Sequence, residues 1–123
     1  MPCLPRGARS AALACLLALP LGACVSTASN PSAIRAAEFA NLVSRSTACR
    51  AGYPRANTLE QFLAAERARG ATPEQLASAR SAYVGVSEAD TINQGVKPQP
   101  CTADERAELK AKMARVRAGE FSF

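Results

Sequence analysis

Apolar positions recur through most of the chain at three- and four-residue steps, the spacing of one face of an α-helix. Between Pro31 and Arg50 the stripe is Ile34, Ala37, Phe39, Leu42 and Val43. Asn30-Pro31 reads as an N-cap with proline at the first helical position. Ala51-Gly52-Tyr53-Pro54 closes this helix, because proline disfavours helix at the residue before it. Thr58-Leu59-Glu60-Gln61 predicts a second start, a capping box in which the Thr58 hydroxyl takes the Gln61 N–H and the Gln61 side chain reaches back. Leu59, Phe62 and Leu63 carry that helix inward until Gly70. Thr72-Pro73-Glu74-Gln75 repeats the signal, now with proline at N1. Leu76, Ala79, Tyr83 and Val84 face inward from the third helix, and Gly85 is read as its stop. Since only Ala71 separates Gly70 from Thr72, the second and third helices should form a helical hairpin.

Ser87-Glu88-Ala89-Asp90 opens a further short helix that carries Ile92 and ends at Gly95. Lys97-Pro98-Gln99-Pro100 must be extended, because two prolines at that spacing exclude regular helix. It leads through Cys101 to Thr102-Ala103-Asp104-Glu105, a third capping box. Leu109, Met113 and Val116 then mark the last helix, and Gly119 leaves Phe121 and Phe123 on a short tail. There is no strand-like alternation, internal repeat or glycine-rich phosphate loop. The expected fold is all-α, a small bundle of four or five short helices.

Ahead of the bundle the pattern is different. Arg6 and Arg9 precede a short apolar run, Ala11-Ala12-Leu13-Ala14-Cys15-Leu16-Leu17-Ala18-Leu19, shorter than a membrane span of about 20 residues and built like a secretory signal peptide. Leu21-Gly22-Ala23-Cys24 follows it and resembles the lipobox of bacterial lipoproteins. That resemblance implies cleavage before Cys24, a diacylglyceryl thioether on its sulfur and an acylated amine. Two or three acyl chains, at about 0.8 kcal/mol per buried CH₂, anchor a protein stably. The alternative is ordinary cleavage near Ser26-Thr27-Ala28 and release. Position 25 is Val rather than the Asp that signals inner-membrane retention in enteric lipoproteins, so the resemblance implies an outer-membrane lipoprotein facing the periplasm. The expected organisation is therefore residues 1–23 as signal peptide, 24–30 as a lipidated tether and 31–123 as a helical domain.

Composition changes the picture in two ways. Of the 123 residues 27 are alanine, and after residue 23 Leu, Ile, Val and Phe together make up only 17 of 100, few for a self-sufficient core. A domain of this kind needs a staple. Cys3 and Cys15 leave with the leader and Cys24 is taken by lipid, so Cys49 and Cys101 remain. In an exported protein an even remainder reads as a disulfide; the competing reading is a reactive thiol or a metal pair. Losing Arg6 and Arg9 leaves thirteen Lys and Arg against ten Asp and Glu, a net of +3, too mild for a nucleic-acid-binding protein.

Histidine is missing altogether, which removes the commonest general base and metal ligand. Glu105 and Glu108 share a helical face at i, i+3, but with Arg106, Lys110 and Lys112 interleaved they read as a solvated, salt-bridged surface. No catalytic set, cofactor, metal site or small-molecule substrate is expected. Arg106, Lys110, Lys112, Arg115 and Arg117 give the last helix a basic character suited to phosphates of lipid A, anionic peptidoglycan or an acidic partner. Phe39, Phe62, Tyr53 and Tyr83 are expected in the core. Phe121 and Phe123 either fold back onto it or present an apolar anchor to a partner.

Cys101-Thr102-Ala103-Asp104-Glu105, followed by Ala107 and Lys110-Ala111-Lys112, is similar to the last helix of small periplasmic acid-stress chaperones of the HdeA type. That resemblance implies a helical, singly disulfide-bonded domain that loosens at low pH to expose apolar surface to clients. The leading expectation is different: a membrane-anchored envelope lipoprotein acting as a non-catalytic interaction or structural module, held by its lipid and partnered by an envelope protein assembly. An inhibitor of a cell-wall hydrolase is a third expectation.

Overall fold

The computed structural model describes residues 30–123; the expected signal peptide, the lipobox-like Leu21-Gly22-Ala23-Cys24 and the expected tether lie outside the described residues. Four helices follow in order: α1 (Pro31–Ala48), α2 (Thr58–Ala68), α3 (Pro73–Val96) and α4 (Ala103–Arg117). No strand occurs among the described residues, and none of their helices is long and apolar enough to cross a membrane. The described residues are all-α and are closed by one disulfide, Cys49–Cys101.

Local chemistry accounts for most helix ends. The Asn30 side chain accepts hydrogen bonds from the N–H groups of Ser32 and Ala33 at 3.1 and 3.2 Å, with Pro31 at N1. Thr72 and Gln75 form the full reciprocal capping box. Three helices stop in the same way: the residue two past the last turn donates to the carbonyl five positions back, and the residue before it to the carbonyl three back. These pairs are Ala51 to Ser46 with Arg50 to Thr47, Ala71 to Glu66 with Gly70 to Arg67, and Glu120 to Arg115 with Gly119 to Val116. The motif needs a left-handed residue in its middle, and φ is +97° at Gly70, +84° at Gly119 and +52° at Arg50.

Contacts along the helices set their directions. Asn30 meets the Gln75 carbonyl, Phe39 meets Tyr83, and Arg45 meets the carbonyls of Gln99 and Pro100, so α1 and α3 run parallel over the length of α1. Glu66 reaches Arg35 and Glu60 reaches Arg80, which makes α2 antiparallel to both and gives the expected α2–α3 hairpin. The α1–α3 seam is narrow because its side chains are small: Ala36, Ala40 and Ala79 are all fully buried. Phe39 occupies the centre, with ring centroids of Phe62, Tyr83, Phe121 and Phe123 at 5.1, 5.3, 5.6 and 5.5 Å. Leu109, Met113 and Val116 bring α4 onto the same core.

Several expectations are corrected by these contacts. Gly85 does not end α3, which continues to Val96, so the short helix expected at 87–95 is the second half of one 24-residue helix. A mid-helix glycine costs only about 1 kcal/mol, less than pairing against α1 contributes. Asn57, not Thr58, stands at the head of α2; Thr58 is buried inside the first turn and no side chain caps that end. On α1 the buried stripe is Ala33, Ala36, Phe39, Ala40, Leu42 and Val43, while Ile34 is 49% exposed. Alanines as much as large side chains mark the buried side of α1, and Ile34 lies off it. Tyr53, at 56%, and Val84 are also exposed rather than core.

Candidate functional site

The chemistry-bearing residues collect at two ends of the bundle. At the disulfide end, the Cα atoms of Cys49 and Cys101 are 5.6 Å apart, which ties the end of α1 to the start of α4. Arg45 reinforces the tie: its guanidinium forks onto Glu105, Nε to Oε1 at 2.5 Å and Nη2 to Oε2 at 2.8 Å, and donates to the Gln99 and Pro100 carbonyls. Glu105 thus does not complete the capping box. Thr102 still accepts from the Glu105 N–H, but the carboxylate turns to a charged partner on α1. Hydrogen bonding from Arg45, chiefly, holds the Glu105 carboxyl below the usual carboxylate range.

Cys49, Cys101 and Glu105 place their sulfur and carboxylate atoms within 4.8 Å of one another. The sulfurs are joined to each other, so no thiolate is offered to a metal, and the carboxylate is already bound by Arg45. Glu105 and Glu108 do not face each other for acid–base work either, since Glu108 pairs with Lys112 at 2.6 Å.

The five cations of α4 fall into two groups. Arg106 donates to the Cys49 carbonyl at 3.0 Å and Arg117 to the Tyr53 carbonyl at 3.1 Å, so these two, with Lys110 between them at helical spacing, border the α1–α2 loop. Lys112 and Arg115 project from the other side, where the acidic residues of the helix also lie. The loop packs closely here: a Cβ on Gly52 would come within 3.1 Å of Met113 Cβ, so bare backbone lets residues 50–55 lie on α4. Arg50, Tyr53 and Arg55 are exposed on that loop, whose Cys49 and Tyr53 carbonyls Arg106 and Arg117 bind.

At the opposite end Glu66 has no exposed surface and is bound by Arg35 and Arg69. Burial pushes its carboxyl up, but hydrogen bonds from Arg35, Ser32 and Arg69 together outweigh burial and leave it below the ordinary range. Arg69 also donates to the Phe121 carbonyl at 3.3 Å, so the same cluster pins the C-terminal tail. Phe121 is buried and Phe123, 38% exposed, lies nearly parallel to Phe39; the tail folds back onto the core. Glu66 was missed in the sequence, yet a signal was present. It continues the stripe Leu59, Phe62, Leu63 at the next helical step, an acid on an apolar face.

These features define a class by architecture: a disulfide-closed four-helix domain with an arginine-clamped carboxylate at each end. In comparisons with known proteins, no protein-family model, no curated protein and no solved structure matched the chain.

Proposed function

We propose that this chain is a membrane-anchored envelope lipoprotein whose helical domain is a non-catalytic interaction or structural module, displayed in the periplasm from the outer membrane. The observation that carries the reading is Leu21-Gly22-Ala23-Cys24 at the end of a charged and then apolar leader. The Cys49–Cys101 bond supports it, because disulfides persist in compartments kept oxidising, such as the bacterial periplasm. Asn30 caps α1 directly, so five residues join Cys24 to the folded domain and hold it within about 20 Å of the bilayer. The carboxylates at each end of the bundle are engaged by arginines, which supports a structural role for them. Intact mass of the protein purified from membranes tests the proposal: a chain starting at Cys24 with added acyl mass is expected, and a lipid-free chain starting near Ser29 overturns it.

A second reading, an acid-activated chaperone, is favoured by Glu66. One buried carboxylate joins α1 and α2, and its protonation loosens its hold on Arg35 and on Arg69, which also binds the Phe121 carbonyl of the tail. Retained compactness at pH 2–3, with no gain in binding of an apolar dye, counts against this reading.

A further inference from the structure

The net charge of the helical domain is unevenly placed. On the side of α4 that borders the α1–α2 loop the ionisable residues are Arg106, Lys110 and Arg117, and Ala103, Ala107 and Ala114 lie next to them on the helix surface. Asp104, Glu105 and Glu108 lie on the other side with Lys112 and Arg115. Arg50 and Arg55 add two exposed cations on the loop that this side borders, with the exposed Tyr53 between them in sequence.

Arg50 occupies a backbone position that favours glycine. Helices α2 and α4 place glycine at the left-handed residue of their stop motif, whereas α1 uses the same motif with arginine at φ +52°. Side chains there are disfavoured, and glycine would relieve the backbone. Among the described residues no hydrogen bond or ion pair engages the Arg50 side chain. It is an exposed cation one residue past the Cys49 carbonyl that Arg106 binds.

We propose that this face, formed by Arg50, Tyr53, Arg55, Arg106, Lys110 and Arg117, docks an acidic surface of a partner protein; the proposal rests on the reading of the domain as an interaction module. Three features select a protein. Arg106 to Arg117 spans about 16 Å of helix, so the charges are distributed over an area rather than converging on a single phosphate. Arginine and tyrosine dominate, the residue types that anchor protein interfaces, where lysine is depleted. Arg106 and Arg117 are already held by backbone carbonyls, which reduces the ordering needed on docking. The tether enters at the other end of α1, about 27 Å along the helix from Arg50, so the face is not set at the anchored end.

The test is a photocrosslinking residue in place of Tyr53 in the full chain in intact cells, with the same residue in place of Ile34, on the outer side of α1, as control. A discrete protein adduct from position 53 and none from position 34 is expected. That adduct should fall about tenfold in the double variant Arg50→Gly/Arg55→Ser, whose disulfide and helix content are checked in parallel. An adduct unchanged by removing both charges overturns the proposal, as does an adduct from position 34 alone. Purified full chain that binds peptidoglycan sacculi or phosphatidylglycerol vesicles through these same arginines, with no protein adduct, also overturns it. Mass of the Cys24 peptide from the same cells reports separately on the lipid anchor, so failure of one claim is not mistaken for failure of the other.

Discussion

Removing the disulfide should be the most damaging single chemical change to this domain. Cys49 and Cys101 are 52 positions apart, and on the chain-entropy model a loop of that length restricts the unfolded chain by about 4 kcal/mol. Domains of this size have about 5–15 kcal/mol in total, so the bond supplies a large part of the margin. The perturbation should remove the cross-link without adding a polar burial: Cys49 is buried and is replaced by alanine, and the half-buried Cys101 by serine. Contacts at the same end survive in Cys49→Ala/Cys101→Ser, because the Arg45 fork on Glu105 and the Arg106 bond to the backbone carbonyl of residue 49 need no sulfur. The expected loss is therefore about 3–4 kcal/mol, or about 15–30 °C in Tm for a domain of this length. Urea unfolding followed by far-ultraviolet circular dichroism, variant against oxidised wild type, measures it. A loss below about 1 kcal/mol would refute the reasoning and would mean that the alanine-rich seam and the aromatic centre suffice without the staple.

Acid should act through the two arginine-bound carboxylates. Both Glu66 and Glu105 are lowered on folding, so the stability they contribute is present above the unfolded carboxylate range, near pH 4.3, and lost as pH falls below it through their folded values. Glu66→Gln should flatten the acid limb of a stability–pH profile and cost about 3 kcal/mol at pH 7, the low end for a broken buried pair because both arginines reach solvent; an unchanged acid limb contradicts this. Arg50→Gly should raise stability by about 0.5–1 kcal/mol by relieving the left-handed backbone, and a denaturation midpoint below wild type would show that the arginine has an unseen stabilising contact. Phe121→Ala should cost about 3 kcal/mol, read by the same urea titration, whereas no loss would show that the tail is not part of the core. Ser46→Ala should be neutral or stabilising by up to about 1 kcal/mol, since the buried Ser46 hydroxyl has no partner; a clear loss in thermal unfolding would imply one.

Local signals in the sequence determined much of the secondary structure. Asn30-Pro31, Thr72-Pro73-Glu74-Gln75 and Thr102 mark helix starts because capping is chemistry between residues two or three apart, and Gly70 and Gly119 mark ends because a left-handed turn selects glycine. The pairing of Cys49 with Cys101 is what remains when Cys3 and Cys15 are assigned to an expected leader and Cys24 to an expected lipid. Tertiary structure decided what depended on distant neighbours. Gly85 stays helical because α1 lies alongside α3, and Ile34 faces outward because Ala36 and Ala40 let α1 approach Ala79 closely. The Glu105 carboxylate binds Arg45, 60 residues earlier, instead of closing its capping box. Glu66 became the buried charge of the domain because Arg35 and Arg69 arrive from two directions. Which cations of α4 share a face with Arg50 was equally a matter of folding, since the loop carrying Arg50 is brought onto α4 by the narrowness of Gly52 against Met113. A side chain's local preference is printed in the sequence, but the partner that satisfies or overrides it is supplied by the packing of the whole chain.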